Sequence, residues 1–380
     1  MITRRIVDRV SRLSGALLVL NALAANAIDA PKPAAAPAEA AVPPPQTNVT
    51  ANDETAFYER LQFVAHKRML VGLGISDDTL KSLAAGSADA AIGRLSQQSV
   101  AGDRNATIAL VRIQHWCNRI SSARPADAQA QLARFTQLVS PERLARIAGV
   151  INAERAYQGR ARQSCGQAAF DYQGIESRLR QAAEAGDPAS TTELALFVRD
   201  PAKREQFLQQ AADKNYAPAI QALATQRLLA VQRGQTTENV SSIRLLFKQA
   251  GRTLPRAKVD LANCMATGCD GHPADAGGAA PFGFDAAKDG EPLAFTSMMR
   301  MPWGNRLTRT QMLGWQYYGD QLNETGCTGD AYIQNAVMFA QAVATLEKGQ
   351  SPTQLEQART QAETLWEGNG ERAKKEQGCG

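Results

Sequence analysis

The 380-residue sequence predicts an all-α fold, an α-solenoid of helix-turn-helix repeats with a helical C-terminal cap. Three observations predict it. A spaced pattern recurs, and internal periodicity is the signature of stacked helical hairpins. In three copies the segment ahead of the expected helix stop is rich in small residues, chiefly alanine, the residue with the best intrinsic helix propensity. No stretch sustains the alternation of β-branched residues that a strand requires.

The pattern is a large apolar residue, six positions, a Gly or Asn, three positions, a small residue, three positions, a Leu. It reads Leu95, Gly102, Ala106, Leu110; then Leu179, Gly186, Ser190, Leu194; then Leu208, Asn215, Ala219, Leu223. A fourth copy, Phe247, Leu254, Ala257, Leu261, has Leu at the stop and one residue fewer before its alanine. Gly and Asn are the residues best able to take the left-handed conformation that ends a helix. The small residue and the Leu after it lie four apart, on one face of the next helix, and the small one lets two backbones approach. Equivalent leucines are separated by 84, 29 and 38 residues. The longest interval predicts a further unit around residues 128 to 170.

The elements follow in order. Residues 1–27 hold Arg4, Arg5, Arg9 and Arg12, the apolar run 16–20, and then Ala25, Asn26, Ala27. This order predicts a secretory signal peptide cleaved after Ala27. Its apolar run falls short of the roughly 20 residues a membrane anchor needs, so no stable membrane insertion is expected after cleavage. Residues 28–50, with Pro31, Pro33, Pro37, Pro43, Pro44 and Pro45, predict a disordered tether. The net charge is +5, and the first 27 residues supply +3 of it, which leaves about +2. That balance gives no electrostatic case for nucleic acid.

A helical repeat domain is expected over 51–269. Phe57, Leu61, Val64, Ala65 and Met69 space an amphipathic helix over 53–72. Helices are expected at 107–122, 126–138, 141–165 and 173–185, with start signals at Ser140-Pro141-Glu142 and Asp200-Pro201. Residues 270–305 break the pattern with Gly271, Pro273, Gly277, Gly278, Pro281, Gly283, Gly290, Pro292, Pro302 and Gly304. They predict a long Gly/Pro-rich loop, whose Phe282, Phe284, Met298 and Trp303 pack on the solenoid or on a partner. Helices at 308–324, 329–348 and 352–367 form the C-terminal cap of 306–380, covering the exposed end that a solenoid must protect.

Six cysteines in an ordinary composition suit an oxidising compartment, periplasmic or extracellular. Nearest-neighbour pairing is expected: Cys117 with Cys165, Cys264 with Cys269, Cys327 with Cys379. Gly268 would end a helix and fold Cys269 back. The competing reading, a metal site of Cys264, Cys269 and His272, lacks a fourth ligand and the usual two-residue spacing.

The run Gln210, Ala211, Ala212, Asn215, Ala217, Ala219, Leu223, Ala224 resembles the core of the Sel-one-like repeat, a relative of the tetratricopeptide repeat. Gln181, Ala182, Ala183, Gly186 with Leu194 and Ala195 is similar. The resemblance covers residues 90 to 270 and departs from the family in lacking a glycine-rich inter-helix turn. It implies a right-handed superhelix of helix pairs and an exported scaffold that binds a protein or peptide. It brings no catalytic residues and no cofactor.

Nothing in the sequence matches a nucleophile elbow, a phosphate loop or a zincin helix. His66, His115 and His272 are scattered. Glu54 and Glu59 could in principle flank a glycosidic bond. A non-catalytic adaptor is therefore expected, and the alternative is a cell-envelope enzyme or regulator with a glycan-binding groove near 270–305. The first predicts exposed aromatic and Arg anchors without convergent acids in the groove, the second a buried carboxylate of raised pKa.

Overall fold

The computed structural model describes residues 51–122, 127–235, 242–269 and 271–379. The expected signal peptide and tether lie outside them. The described residues form seventeen α-helices and two 3-10 segments, with no strand.

The first half comprises α1 (Ala51–Met69), α2 (Asp77–Ala84), α3 (Ala88–Val100), α4 (Arg104–Ser122), α5 (Ala128–Ala133) and α6 (Pro141–Gln167). Then come the paired helices α7 (Tyr172–Glu184), α8 (Pro188–Phe197), α9 (Pro201–Ala212), α10 (Ala217–Gln232), α11 (Ser242–Ala250) and α12 (Pro255–Thr267). The chain ends with α13 (Ala276–Lys288), α14 (Pro292–Arg300), α15 (Arg309–Glu324), α16 (Tyr332–Glu347) and α17 (Pro352–Glu376). The 3-10 segments are Pro302–Arg306 and Gly329–Ala331.

Helix starts follow local chemistry. Ser140, Asp187 and Asp200 each accept a backbone N–H at a helix start and are followed by Pro at the first turn, where its missing N–H costs nothing. Thr308 with Gln311, and Ser351 with Gln354, close reciprocal capping boxes.

The spaced pattern lies in four hairpins, α3/α4, α7/α8, α9/α10 and α11/α12. Gly102, Gly186 and Asn215 stand at φ 95°, 91° and 59°, and Asn215 is the sole non-glycine with positive φ among the described residues. In the fourth hairpin Leu254 is instead the extended residue preceding α12, at φ −116°. Leu95, Ala106, Leu110, Leu179, Ser190, Leu194, Leu208, Ala219, Leu223, Phe247, Ala257 and Leu261 are all buried. These residues are turned into the stack.

Three expectations need correction. Segment 270–305 is not a long loop: it holds α13, α14 and a 3-10 turn. Two of its glycines, Gly283 and Gly304, make room for close packing. A Cβ at Gly283 would meet the Trp303 indole at 2.6 Å, and Trp303 is fully buried with Phe284 edge-on at 5.5 Å. The expected helix over 126–138 is shorter, α5 ending at Ala133 before successive turns. The unit expected near 128–170 is no matched hairpin, since α6 runs 27 residues, about 40 Å, against α1, α3 and α4.

The C-terminal helices do more than cover a free end. They return to the first helix and close the circuit of contacts. Phe57 of α1 meets Tyr332 edge-on at 5.2 Å, and Gly329 rests on the α1 backbone, where a Cβ would lie 3.2 Å from the Ala65 nitrogen. Arg143 of α6 grips Asp320 through two hydrogen bonds of 2.6 and 2.8 Å and reaches Glu324 at 2.9 Å. Tyr332, Ile333, Ala336 and Val337 thereby join the N-terminal core of Leu61, Leu83, Ile108 and Ile147.

The structure pairs Cys117 with Cys165, Cys264 with Cys269 and Cys327 with Cys379, at sequence separations of 48, 5 and 52. Gly268, at φ 70°, ends α12, and the Cys269 N–H returns to the Cys264 carbonyl at 3.1 Å. Loop-closure entropy puts each long-range bond at about 4 kcal/mol and the local one at about 2 kcal/mol.

Candidate binding surface

The second helices of the hairpins, α4, α8, α10, α12 and α14, form one face of the stack. Helix α4 packs on α8, α8 on α10, and α12 on α14. With the repeat residues turned inward, the outward stripes are left to water. Leu196 on α8 is 52 % exposed and Leu229 on α10 is 41 % exposed.

Polar side chains of these helices are held from one helix to the next. Arg112 of α4 pairs with the buried Glu193 of α8 at 2.7 Å and donates to the Met69 carbonyl at 2.9 Å, tying α1 to the face. Gln221 of α10 donates to Asp260 of α12 at 3.0 Å. Arg256 lies 3.5 Å from Asp260 and 3.9 Å from Glu291, the residue that caps α14.

Burial pushes the Asp260 carboxyl above the usual range, against the pull of Arg256 and Gln221. It does the same to Glu291, with Arg256, the Leu293 N–H and the Arg68 guanidinium opposing and Asp260 adding to the rise. Charged carboxylates here have lost water and share a single close guanidinium, so the proton is held more tightly.

This face therefore carries arginines, one part of the first expectation, together with the buried acids of raised pKa that the second expects and the first does not. Sequence reasoning missed Arg112, Glu193, Arg256, Asp260 and Glu291. Asp260 and Glu291 are 31 residues apart, and only the return of α14 onto α12 brings them together.

The other sequence candidates do not assemble. Glu54 lies over the bare backbone of Gly149, where a Cβ would clash with its carboxylate, whereas Glu59 faces Arg160 at 3.8 Å. Glu54 lines a cleft of about 210 Å³ with Asp53, Phe57, Arg60, Arg146, Val150 and Glu324. His66 is fully buried against Trp116, and His115 packs on Phe197. Cys264 and Cys269 are bonded to each other, which removes both thiolates from the considered metal site. Among the described residues, no group of three His, Cys, Asp or Glu is placed to hold a metal, and no helix is long and apolar enough to cross a membrane.

No family model matches the chain, and no curated protein matches it. Among solved structures it is similar to a protective antigen of uropathogenic Escherichia coli strains that displays an SLR, or Sel-one-like repeat, fold. The two are 16% identical, the match covers 86% of this chain and 74% of the other, and the TM-score is 0.44. The helical-repeat architecture itself rests on the hairpins of this chain, with their left-handed stops and buried small residues.

Proposed function

We propose that this chain is an exported, non-catalytic helical-repeat adaptor that binds a protein or peptide through the face of its second helices. One observation carries the reading. That face leaves Leu196 and Leu229 open to water and also carries Arg112 and Arg256, which its own acids already hold. A face that combines exposed apolar side chains with pre-ordered guanidinium groups has the composition of an interface, because those arginines have little side-chain entropy left to lose on binding. Three disulfides support an oxidising compartment, and the basic, apolar and small segments of residues 1–27 support export to the periplasm or beyond, with cleavage after Ala27.

Photo-crosslinking residues placed at positions 196 and 229 test it. A discrete partner should be captured at both, and not from position 245, whose leucine is 67% exposed on the first helix α11. Capture from 245 alone would place the interface elsewhere.

The raised Asp260 and Glu291 favour a second reading, an envelope enzyme or regulator with a glycan groove at this end of the face. Glycan turnover lost in both Asp260→Asn and Glu291→Gln would establish it.

A further inference from the structure

The circuit of helices closes at one seam, and only one of the three disulfides lies in it. Cys117–Cys165 joins α4 to α6 within the N-terminal core, and both its cysteines are buried. Cys264–Cys269 is a local staple at the end of α12. Cys327–Cys379 ties the end of the chain to the 325–331 turn.

That turn is the surface on which α1 docks. A Cβ on Gly326 would lie 3.2 Å from Leu61 and 3.3 Å from Phe57. Arg68 donates to the Thr328 carbonyl at 3.3 Å. Arg68 also touches the tail, since a Cβ on Gly378 would meet its Cγ at 3.3 Å. The tail is anchored in turn on the second half of the stack: Gln377 donates to the Asp289 carbonyl at 3.2 Å, and Arg372 pairs with Asp289 at 2.6 Å. The disulfide therefore connects the docking turn to the body that positions it.

The two sulfurs differ in access. Cys327 is 2% exposed, whereas Cys379 is half-buried near the end of the chain.

We propose that Cys327–Cys379 is a redox-sensitive latch behind the seam, and that its reduction by a dithiol frees the 325–331 turn, on which α1 docks, from the tail and so loosens the seam. The thiolate of the dithiol attacks the more accessible sulfur of Cys379, and Cys327 leaves as a thiolate and takes up a proton. The second thiol of the reductant then displaces Cys379 from the mixed disulfide. Two cysteine thiols result, and the dithiol is oxidised to its own disulfide. A loosened seam exposes Leu61 and Tyr332, which the closed form buries.

Hydrogen exchange on the full chain tests this, comparing the wild type with and without a mild dithiol, a Cys327→Ser/Cys379→Ser variant and a Cys264→Ser/Cys269→Ser control. Expected is exchange about tenfold or more faster over 320–332 and the facing residues of α1, with α7 to α12 unchanged, in the reduced wild type and the latch variant alone. Cys379 should be alkylated before Cys117 or Cys165. Should the serine variant fail to fold, the wild type reduced stepwise gives the same readout. Unchanged exchange at the seam with both thiols free would overturn the proposal. So would loss of protection throughout the chain, which would make the bond a general staple.

Discussion

Replacing His66 tests whether the buried edge of α1 governs acid sensitivity. The ring is enclosed, its Nδ1 lies 2.6 Å from the Gln62 carbonyl, Trp116 meets it edge-on, and Nε2 has no hydrogen-bond partner. The Nδ1–H therefore donates to Gln62 and the ring is neutral. Burial lowers its pKa from 6.5 to about 4, the Gln62 carbonyl and Asp330 opposing and Arg119 assisting. Between those values the unfolded chain binds a proton that the native chain does not, so stability rises with pH across the window. The contribution is whole above pH 6.5 and is lost as pH falls towards 4. A shift of this size is worth about 3 kcal/mol in all, of which about 2 kcal/mol is gone by pH 5. Burial raises Glu154 nearby, as it does Asp260 and Glu291. Those groups act with the opposite sign, gaining stability as pH falls, so only a difference isolates the histidine. Urea unfolding of the wild type and His66→Gln, followed by circular dichroism at pH 7.5, 6 and 5, should show the wild type losing about 2 kcal/mol more than the variant. Parallel profiles would refute the neutral, buried histidine.

Three further outcomes are expected. Gly283→Ala drives a methyl into the Trp303 indole and should cost about 1–3 kcal/mol in chemical denaturation, whereas Gly349→Ala, with open space at its Cβ but φ 81°, should cost only the backbone strain of about 1 kcal/mol. Asn215→Ala keeps the left-handed stop without the residue suited to it, and loses the hydrogen bond from Gln249; a loss of about 1 kcal/mol is expected, with Asn215→Gly close to neutral. Arg143→Ala leaves Asp320 without its clamp and should lower stability by about 2 kcal/mol, with faster exchange at the seam and none in α9 to α12. Unchanged exchange at 320–332 in that variant would show that the ion pair does not hold the seam.

The helix-stop-helix units were legible because each leaves a local mark: a residue that tolerates positive φ, then a small residue and a leucine on one face. The same mark recurs where it went unread. Ala286, Ala287, Gly290, Ala294 and Met298 repeat the spacing through α13 and α14, and Gly290 stands at φ 76°. The glycines and prolines around it hid the unit, because Gly283 yields its side-chain volume to Trp303 and Pro281 lies inside α13. The disulfide partners were readable because neighbours in a sequential stack are neighbours in space. The seam was not. Arg143 and Asp320 are 177 residues apart, and no local spacing announces a contact made only when the stack has turned fully round. The same holds for Asp260 and Glu291, whose meeting depends on the unread hairpin.

A closed circuit differs from an open array in one respect that bears on its ancestry. Open solenoids lengthen or shorten by duplicating a hairpin, since each unit contacts only its neighbours. Here an inserted or deleted hairpin would displace Asp320 from Arg143 and Tyr332 from Phe57. The circumference is thus fixed in whole units, and length variation among descendants should be confined to loops. The chain has given up growth by repetition in exchange for covering its first helix with its C-terminal helices.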